Sequence, residues 1–374
     1  MSVDAIQAPP ERLAVASQWQ LTWWAFKKHK LAMAGLWIVG FLYLIAIIPG
    51  VFTMNDPSKQ NARAAFHPPQ SIHWIDRSTD GGWSIRPHIY ATSLKRDPVS
   101  LAAIFTEDPS KKTYLSLFGK GYAYSFFGFV TLERHILATA NPSDQVYLLG
   151  TDRLGRCVWS RIMQGTQISL SVGLIGVFLS LLIGIFVGGI SGYYGGQLDF
   201  VVQRVIEFVV ALPTIPIWLA LAAAVPQDWP ATLNYFMITI ILSLTGWAQL
   251  ARVVRGRFLS LRTEDFVMAA RLDGVPERRI VFRHMLPSFT SHIIASVTLA
   301  VPAMILAETS LSFLGLGLQP PTISWGVLLR EAQNIRSIAT APWLFAPGFA
   351  VVLAVVALNF LGDGLRDAAD PYNK

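Results

Sequence analysis

Ile168 to Ile190, "ISLSVGLIGVFLSLLIGIFVGGI", is a run of 23 residues without one charged side chain. A helix needs about 20 predominantly apolar residues to cross the hydrocarbon core of a bilayer. Working outward from this run, five more segments are comparably long and apolar: Leu31 to Phe52, Val201 to Val225, Leu233 to Ala251, His292 to Leu318 and Trp343 to Gly362. The whole chain is 53% hydrophobic and only 14% charged, with mean hydropathy +0.45. A soluble domain carries about 25% charged residues, and a transmembrane barrel shows alternating segments of about 10 residues. Neither pattern fits. The expected fold is all-α, a polytopic membrane protein of about six transmembrane helices. Pro213, Pro216, Pro302 and Pro347 lie in or near these runs. Membrane helices tolerate such prolines because neighbours re-satisfy the freed backbone groups, so each reads as a local kink.

Lys27, Lys28 and Lys30 precede the first run. Its span length and the absence of a small-residue cleavage site distinguish it from a signal peptide. The positive-inside rule then puts the N-terminus in the cytoplasm. Alternation places the segment "SGYYGGQLDFVVQR", the Arg252–Arg283 stretch and the C-terminal tail inside, and the segment before Gln167 outside. The short outer loop "PQDWP" has no Lys or Arg, whereas Arg252 to Arg283 is the densest basic stretch, so charge and alternation agree. The domains expected are a cytoplasmic segment 1–30, a first span 31–52, an extracytoplasmic insertion 53–147 and a transmembrane domain 148–374. The insertion is too long for a hairpin loop. It carries mixed charges and many aromatics, and "GWSIRPHIY" and "AYSFFGFVTL" are candidate strands within it. The net charge of +7 does not by itself indicate nucleic acid, because in a membrane protein the position of charges matters more than their sum.

Inside the basic stretch lies Thr263 to Pro287, "TEDFVMAARLDGVPERRIVFRHMLP", with Arg271, Arg278, Arg279 and Arg283 following Arg262. Thr263 is the expected N-cap of a helix over 265–272, with Glu264 and Asp265 in its first turn. Gly274 ends that helix and Pro276 starts a second one, "PERRIVFRHM". Arginines alone need signify no more than attraction to anionic lipid, about 1 kcal/mol each. A helix–glycine–helix form, the small pair Ala269 and Ala270, and the closing Pro287 suit a rigid docking knob.

"AARLDG" followed nine residues later by "HMLP" resembles the EAA loop of ATP-binding-cassette importer permeases. Ala269, Ala270, Gly274, Leu286 and Pro287 match that loop. Met268 stands where an acidic residue is usual, and His284 where Ile is usual. "LLGTDRLGRCVWSRIMQGTQISLSVGL", "GGISGYYGGQLD", "RVIEFVVALP", "ETSLSFLGLGLQPP", "SWG" and "LGDGLRDAADP", in this order, are similar to the C-type subunit of dipeptide and oligopeptide permeases. Cys157 replaces the usual Asp in the first of these. The likeness takes in the first span and Leu148 to Pro371, but not evidently residues 55–147. It implies that 263–287 is a coupling loop that docks into a cytoplasmic ATPase. Ala269, Ala270, Arg271, Asp273, Gly274, Arg278, Arg279, His284, Leu286 and Pro287 are then the coupling residues. It also implies two ATPase chains binding ATP and Mg, a second homologous permease subunit and an extracytoplasmic solute-binding protein. The setting is a bacterial or archaeal inner membrane with both termini cytoplasmic, and the cargo is a peptide or similar small solute.

Other candidates have plain structural readings beside functional ones. Glu308 lies within an apolar run, where an acid costs about 2.5–3.5 kcal/mol on insertion scales. It reads either as a translocation-path or gating residue, or as a hydrogen-bonding link between helices. Arg204 and Glu207 are spaced to pair on one helical face. Asp152, Arg153 and Arg156 suit an elbow before the second span, and Arg330 and Glu331 a solvated helix face. "GGISGYYGG" lacks the Lys-Ser/Thr of a phosphate loop, so it reads as close helix packing or a tight turn. The chain has no Walker A sequence, no nucleophile elbow and no Ser-His-Asp order, so it is expected to be no enzyme. His67, His73 and His88 show no metal-ligand spacing, Cys157 is the single cysteine, and no metal is expected. The alternative function is a secondary transporter or channel without an ATPase partner. That would call for inverted repeats or broken helices in both halves, and none is read.

Overall fold

The computed structural model describes residues 18–77, 83–96, 98, 103–126, 129–141, 144–226, 228–334 and 339–369. The first residues of the expected 1–30 segment and the end of the tail, "DPYNK", lie outside them. After α1 (Gln18–Lys28), a bundle is built from α2 (Lys30–Ile47), α3 (Val158–Tyr194), α4 (Gly196–Ala211), α5 (Thr214–Ala223), α6 (Ala231–Leu261), α7 (Asp265–Leu272), α8 (Thr290–Phe313), α9 (Trp325–Glu331) and α10 (Ala346–Ala369). α2, α3, α6 and segments reaching through α8 and α10 are long and apolar enough to cross a membrane. α3 has 37 residues, far more than its uncharged run, because it continues through the polar "VWSRIMQGTQ" at its start.

The expected third span is broken. α4 and α5 together pass as one crossing, but they are bent by 84° at Leu212 and Pro213. Proline removes a backbone donor and disfavours helical geometry in the residue before it, and Leu212 is accordingly extended at φ −76°, ψ 136°. This is more than the kink expected. It is the one such pair among the described residues, so the broken helix that a secondary transporter needs in each half has no counterpart here.

Glycines set the closest helix contact. Gly184, Gly188 and Gly192 recur every fourth residue on α3 and face α6. A Cβ at Gly188 would lie 2.4 Å from the carbonyl oxygen of Ala251, and one at Gly192 would lie 2.7 Å from that of Arg255. Between helices in lipid, such small-residue rows allow backbones to approach. "GGISGYYGG" is therefore packing surface, and it ends in a turn at Gly195 and Gly196. α3 and α6 run parallel, as alternating sides require with one crossing between them. Arg255 of α6 then donates two bonds, each 2.6 Å, to Asp199 of α4.

The segment between α2 and α3 corrects the all-α expectation. β1 (His73–Arg77), β2 (Trp83–Arg96), β3 (Ala103–Leu117) and β6 (Leu137–Thr139) form an antiparallel sheet in the order β1-β2-β3-β6, and β4 (Lys120–Phe126) pairs with β5 (Val130–Arg134). Of the two candidate strand segments, the first lies in β2 from Trp83 onward, whereas the second is no single strand: it runs from the end of β4 into the start of β5, with Phe127 and Gly128 outside the described residues. Ile89, Leu115 and Val146 form its small core. The unit is fastened to the bundle: Asn55 Nδ2 donates to Val146 O (2.6 Å), Trp159 Nε1 to Phe52 O (2.9 Å), and Ser160 Oγ accepts from Asn55 N (3.0 Å).

At that same end, α9 is not the solvated face expected of it. Trp325, Gly326, Val327 and Leu328 are buried, and Glu331 accepts from both Arg156 and Arg161. Asp152 accepts from the same two arginines. The elbow pairing is thus present but larger than its spacing suggests. Arg204 and Glu207 do pair, at 2.7 Å, on an exposed face.

Candidate functional site

Loop 263–287 hangs between the end of α6 and the start of α8, at the end of the bundle away from the β unit. Its first helix begins one residue later than a Thr263 cap would give. The Thr263 hydroxyl instead donates to Ser260 O (3.0 Å), and Glu264 occupies the cap position, its carbonyl accepting from Val267 N and Met268 N, both at 3.0 Å. The other end follows the sequence. Gly274 has φ +69°, Val275 N reaches Ala270 O and Gly274 N reaches Arg271 O, each at 3.1 Å. These two bonds satisfy the last carbonyls of α7 and form a Schellman motif, in which Val275 returns to the apolar cluster below.

The second helix starts at Glu277 as Pro276 suggests, but Ile280–Met285 is a π-helical turn. Its wider turn puts residues five apart on one face. Ile280 (1% exposed) and Met285 (0%) therefore both enter the core, while Phe282 stays outside. Val267, Ala270 and Phe289 join them against Val254, Phe258 and Tyr193 of the bundle. The Arg271 guanidinium lies 5.1 Å from the centre of the Tyr193 ring, and the Tyr194 hydroxyl donates to Glu277 (2.9 Å). The loop is a platform fixed to α3, α6 and α8 rather than a tether.

This arrangement sorts the expected residues. Ala269, Arg271, Asp273, Gly274, Arg278, Arg279 and Pro287 are exposed, and His284 and Leu286 are half-buried. Ala270 is buried within the loop's own core, so of the alanine pair only Ala269 is open to an approaching surface. The outward stripe of α7 is Asp265, Met268, Ala269 and Leu272, at helical spacings of three and four. Leu272 is 86% exposed at its tip. Neither Met268 nor Leu272 was among the expected residues, although the complementary spacing of Val267 and Ala270 is a readable signal for them.

Glu308, far from this loop, is 0% exposed. Its carboxylate accepts from Ser312 (2.8 Å), Ser324 (2.8 Å) and Ser169 (3.5 Å), linking α8 to the segment before α9 and to α3.

Comparison with known proteins agrees with this architecture. The family model for the binding-protein-dependent transport system inner membrane component matches residues 166–373, and that for the N-terminal TM domain of oligopeptide transport permease C matches residues 17–69. The chain is 31% identical over 354 residues to the dipeptide transport system permease protein DppC of Bacillus subtilis, covering 94% of this chain and 85% of the relative. It is 38% identical over 249 residues to the oligopeptide transport system permease protein OppC of Haemophilus influenzae, covering 66% and 78%. A match over 94% of the chain runs through most of residues 55–147, wider than the sequence resemblance reached. The MetNI methionine ABC transporter, in inward-facing conformations, is 16% identical over 55% of this chain and 95% of that one, with a TM-score of 0.41, a likeness that carries no weight in the assignment. The chain belongs to the binding-protein-dependent transport system inner membrane components and is a permease subunit of an ABC importer.

Proposed function

We propose that loop 263–287 is the coupling element through which separate ATP-binding-cassette subunits drive this permease. Exposed Leu272 carries the reading. A large apolar side chain held out on a rigid, otherwise well-packed platform, with Met268 and Ala269 beside it, suits insertion into a groove of a protein partner. Asp273, Arg278 and Arg279 of the same loop are exposed polar residues. ATP and Mg belong to those partners. Closure of two ATPase chains around ATP displaces the platform, and because the platform is packed on α3, α6 and α8, these helices move with it as rigid bodies. ATP acts only through its unequal affinity for the two states.

In this reading the platform, α1 and both termini face the cytoplasm, and the β unit faces outward as an extracytoplasmic insertion, where a solute-binding protein delivers cargo. A second homologous permease subunit completes the pathway. The names of the dipeptide and oligopeptide relatives favour a peptide as cargo. Glu308, tied by three serines, holds α8 to α3 and α9 and keeps the pathway helices in register.

The test is Leu272→Arg. Peptide uptake should fall to background while the amount of permease in the membrane is unchanged, since the side chain is 86% exposed. Wild-type uptake by this variant would refute the coupling role.

A further inference from the structure

The break between α4 and α5 leaves backbone open deep in the membrane. Asp199, near the start of α4, meets Arg255 close to one end of α6, and beyond the break Trp218 Nε1 of α5 donates to Thr245 Oγ1 (3.1 Å). Thr245 is the fifteenth of the 31 residues of α6 and lies inside its apolar run Leu233 to Ala251, so the break sits at mid-depth of the bundle. The last four carbonyls of one helix and the first four N–H groups of the next have no partner within their own helices. Pro213 supplies neither a donor nor a side-chain cap. Yet Ala211 to Pro216 are all exposed. Irregular backbone does not face lipid in the hydrocarbon region; it is tolerated only where protein buries it or where it lines water.

The surroundings choose between these two. Two cavities meet at the break. One, of about 360 Å³, is lined by Ser180 of α3, Thr214 and Trp218 of α5, Thr245 and Gln249 of α6 and Ala303 of α8, among others. The other, of about 610 Å³, shares Thr214, Trp218 and Ala303 and continues past Ser310 to Leu314, where α8 ends. Together they form a groove that starts at Gln249, crosses the break and runs away from loop 263–287. Thr214, Gln249 and Ser310 are exposed along it, and none of these side chains has a hydrogen-bond partner among the described residues. Other hydroxyls of α6 and α8 bond the preceding turn: Thr239 donates to Tyr235 O (2.7 Å), Ser243 to Ile240 O (2.7 Å) and Thr298 to Ile294 O (2.8 Å). Covering the groove with an apolar helix face would leave the amide, both hydroxyls and the open carbonyls unpaired, whereas water satisfies all of them. No Lys, Arg, Asp or Glu lines either cavity.

We infer that this groove is water-filled and is the subunit's own wall of the solute path, where Thr214, Gln249, Ser310 and the open carbonyls of the break offer uncharged hydrogen bonds to the passing solute. The inference rests on the chain being a permease and not on the coupling role of loop 263–287.

The experiment is thiol labelling in membranes holding the assembled transporter. Thr214→Cys, Gln249→Cys and Ser310→Cys are each made in a Cys157→Ser background, which leaves one thiol in the chain, and treated with a charged, water-soluble methanethiosulfonate. Phe178→Cys is the reference: Phe178 is 55% exposed on α3, two residues from Ser180 and so at the same depth, but it does not line the groove. The groove cysteines should react about tenfold or more faster than Phe178→Cys, because hydrocarbon excludes a charged reagent. Their modification should also stop peptide uptake, with the Cys157→Ser parent unaffected. Reaction no faster than at Phe178→Cys would overturn the water-filled groove, and fast reaction with uptake unchanged would overturn its place on the path. Should Gln249→Cys fail to fold, Ser310→Cys, the smallest of the three changes, decides. Adding Leu272→Arg separates this inference from the coupling reading, since labelling of the groove should persist where uptake is already lost.

Discussion

Arg161 is 2% exposed, and its guanidinium meets two carboxylates that also hold Arg156. Removing one partner from a buried charge group strands the rest, at a cost of about 3–5 kcal/mol. Arg161→Met should therefore lower the thermal stability of the detergent-purified chain by that order, and the double variant Arg161→Met, Glu331→Gln should recover part of it. A melting temperature unchanged in the single variant would show that the cluster does not hold α3 to α9. Asp76 permits a pH prediction. The Lys112 ammonium, with the Tyr114 hydroxyl, keeps its carboxyl below the usual carboxylate range. The ionised form thus stabilises the folded unit at pH above the unfolded value of about 3.9, and that contribution is lost as pH falls through the lower folded value. Asp76→Asn should flatten the loss of stability seen in thermal melts from about pH 6 to about pH 3; an identical slope would exclude this carboxylate as the acid-sensitive group. At this scale the sequence showed local pairs only. Asp152 and Arg156 are four apart and legible, whereas Arg161 and Glu331 are 170 residues apart and meet only in the fold.

Between elements, the α3–α6 contact depends on the absence of side chains. Gly188→Leu would place a Cβ 2.4 Å from a backbone oxygen that cannot swing aside. The two helices would have to separate, at a cost of about 1–3 kcal/mol or more. The expected outcome is loss of monodisperse protein on extraction together with loss of uptake, checked by size-exclusion chromatography against Gly40→Leu, where an added Cβ meets nothing. Equal behaviour of the two variants would contradict the packing. The Gly run was readable because lipid offers no other use for so many small residues in one row. The 84° break between α4 and α5 was not, since Pro213 is compatible with a mild kink or a full turn until neighbouring helices choose. The π turn in the loop was equally silent: "IVFRHM" has the composition of an ordinary helix, and only the burial of both Ile280 and Met285 demands the extra residue.

Taken whole, the molecule has two unlike ends, a β unit at one and loop 263–287 at the other. The spans were legible because a bilayer forces every backbone group into internal hydrogen bonds, which leaves long uncharged runs in the sequence. The β unit was barely legible. Its long strands β2 and β3 are largely exposed, so they lack the alternation that a half-buried strand shows. Loop 263–287 was legible as a motif, but which residues it turns outward depended on the packing beneath it. The claim on which the transport account rests is contact between Leu272 and a motor subunit on the cytoplasmic side. Leu272→Cys in a Cys157→Ser background leaves one thiol in the chain, Cys157 being its only native cysteine. A benzophenone attached there, in membranes holding the assembled transporter, should cross-link to an ATP-binding-cassette subunit with a yield that changes on adding ATP. Adducts with lipid alone, or labelling of that cysteine by an impermeant thiol reagent outside intact cells, would contradict the account.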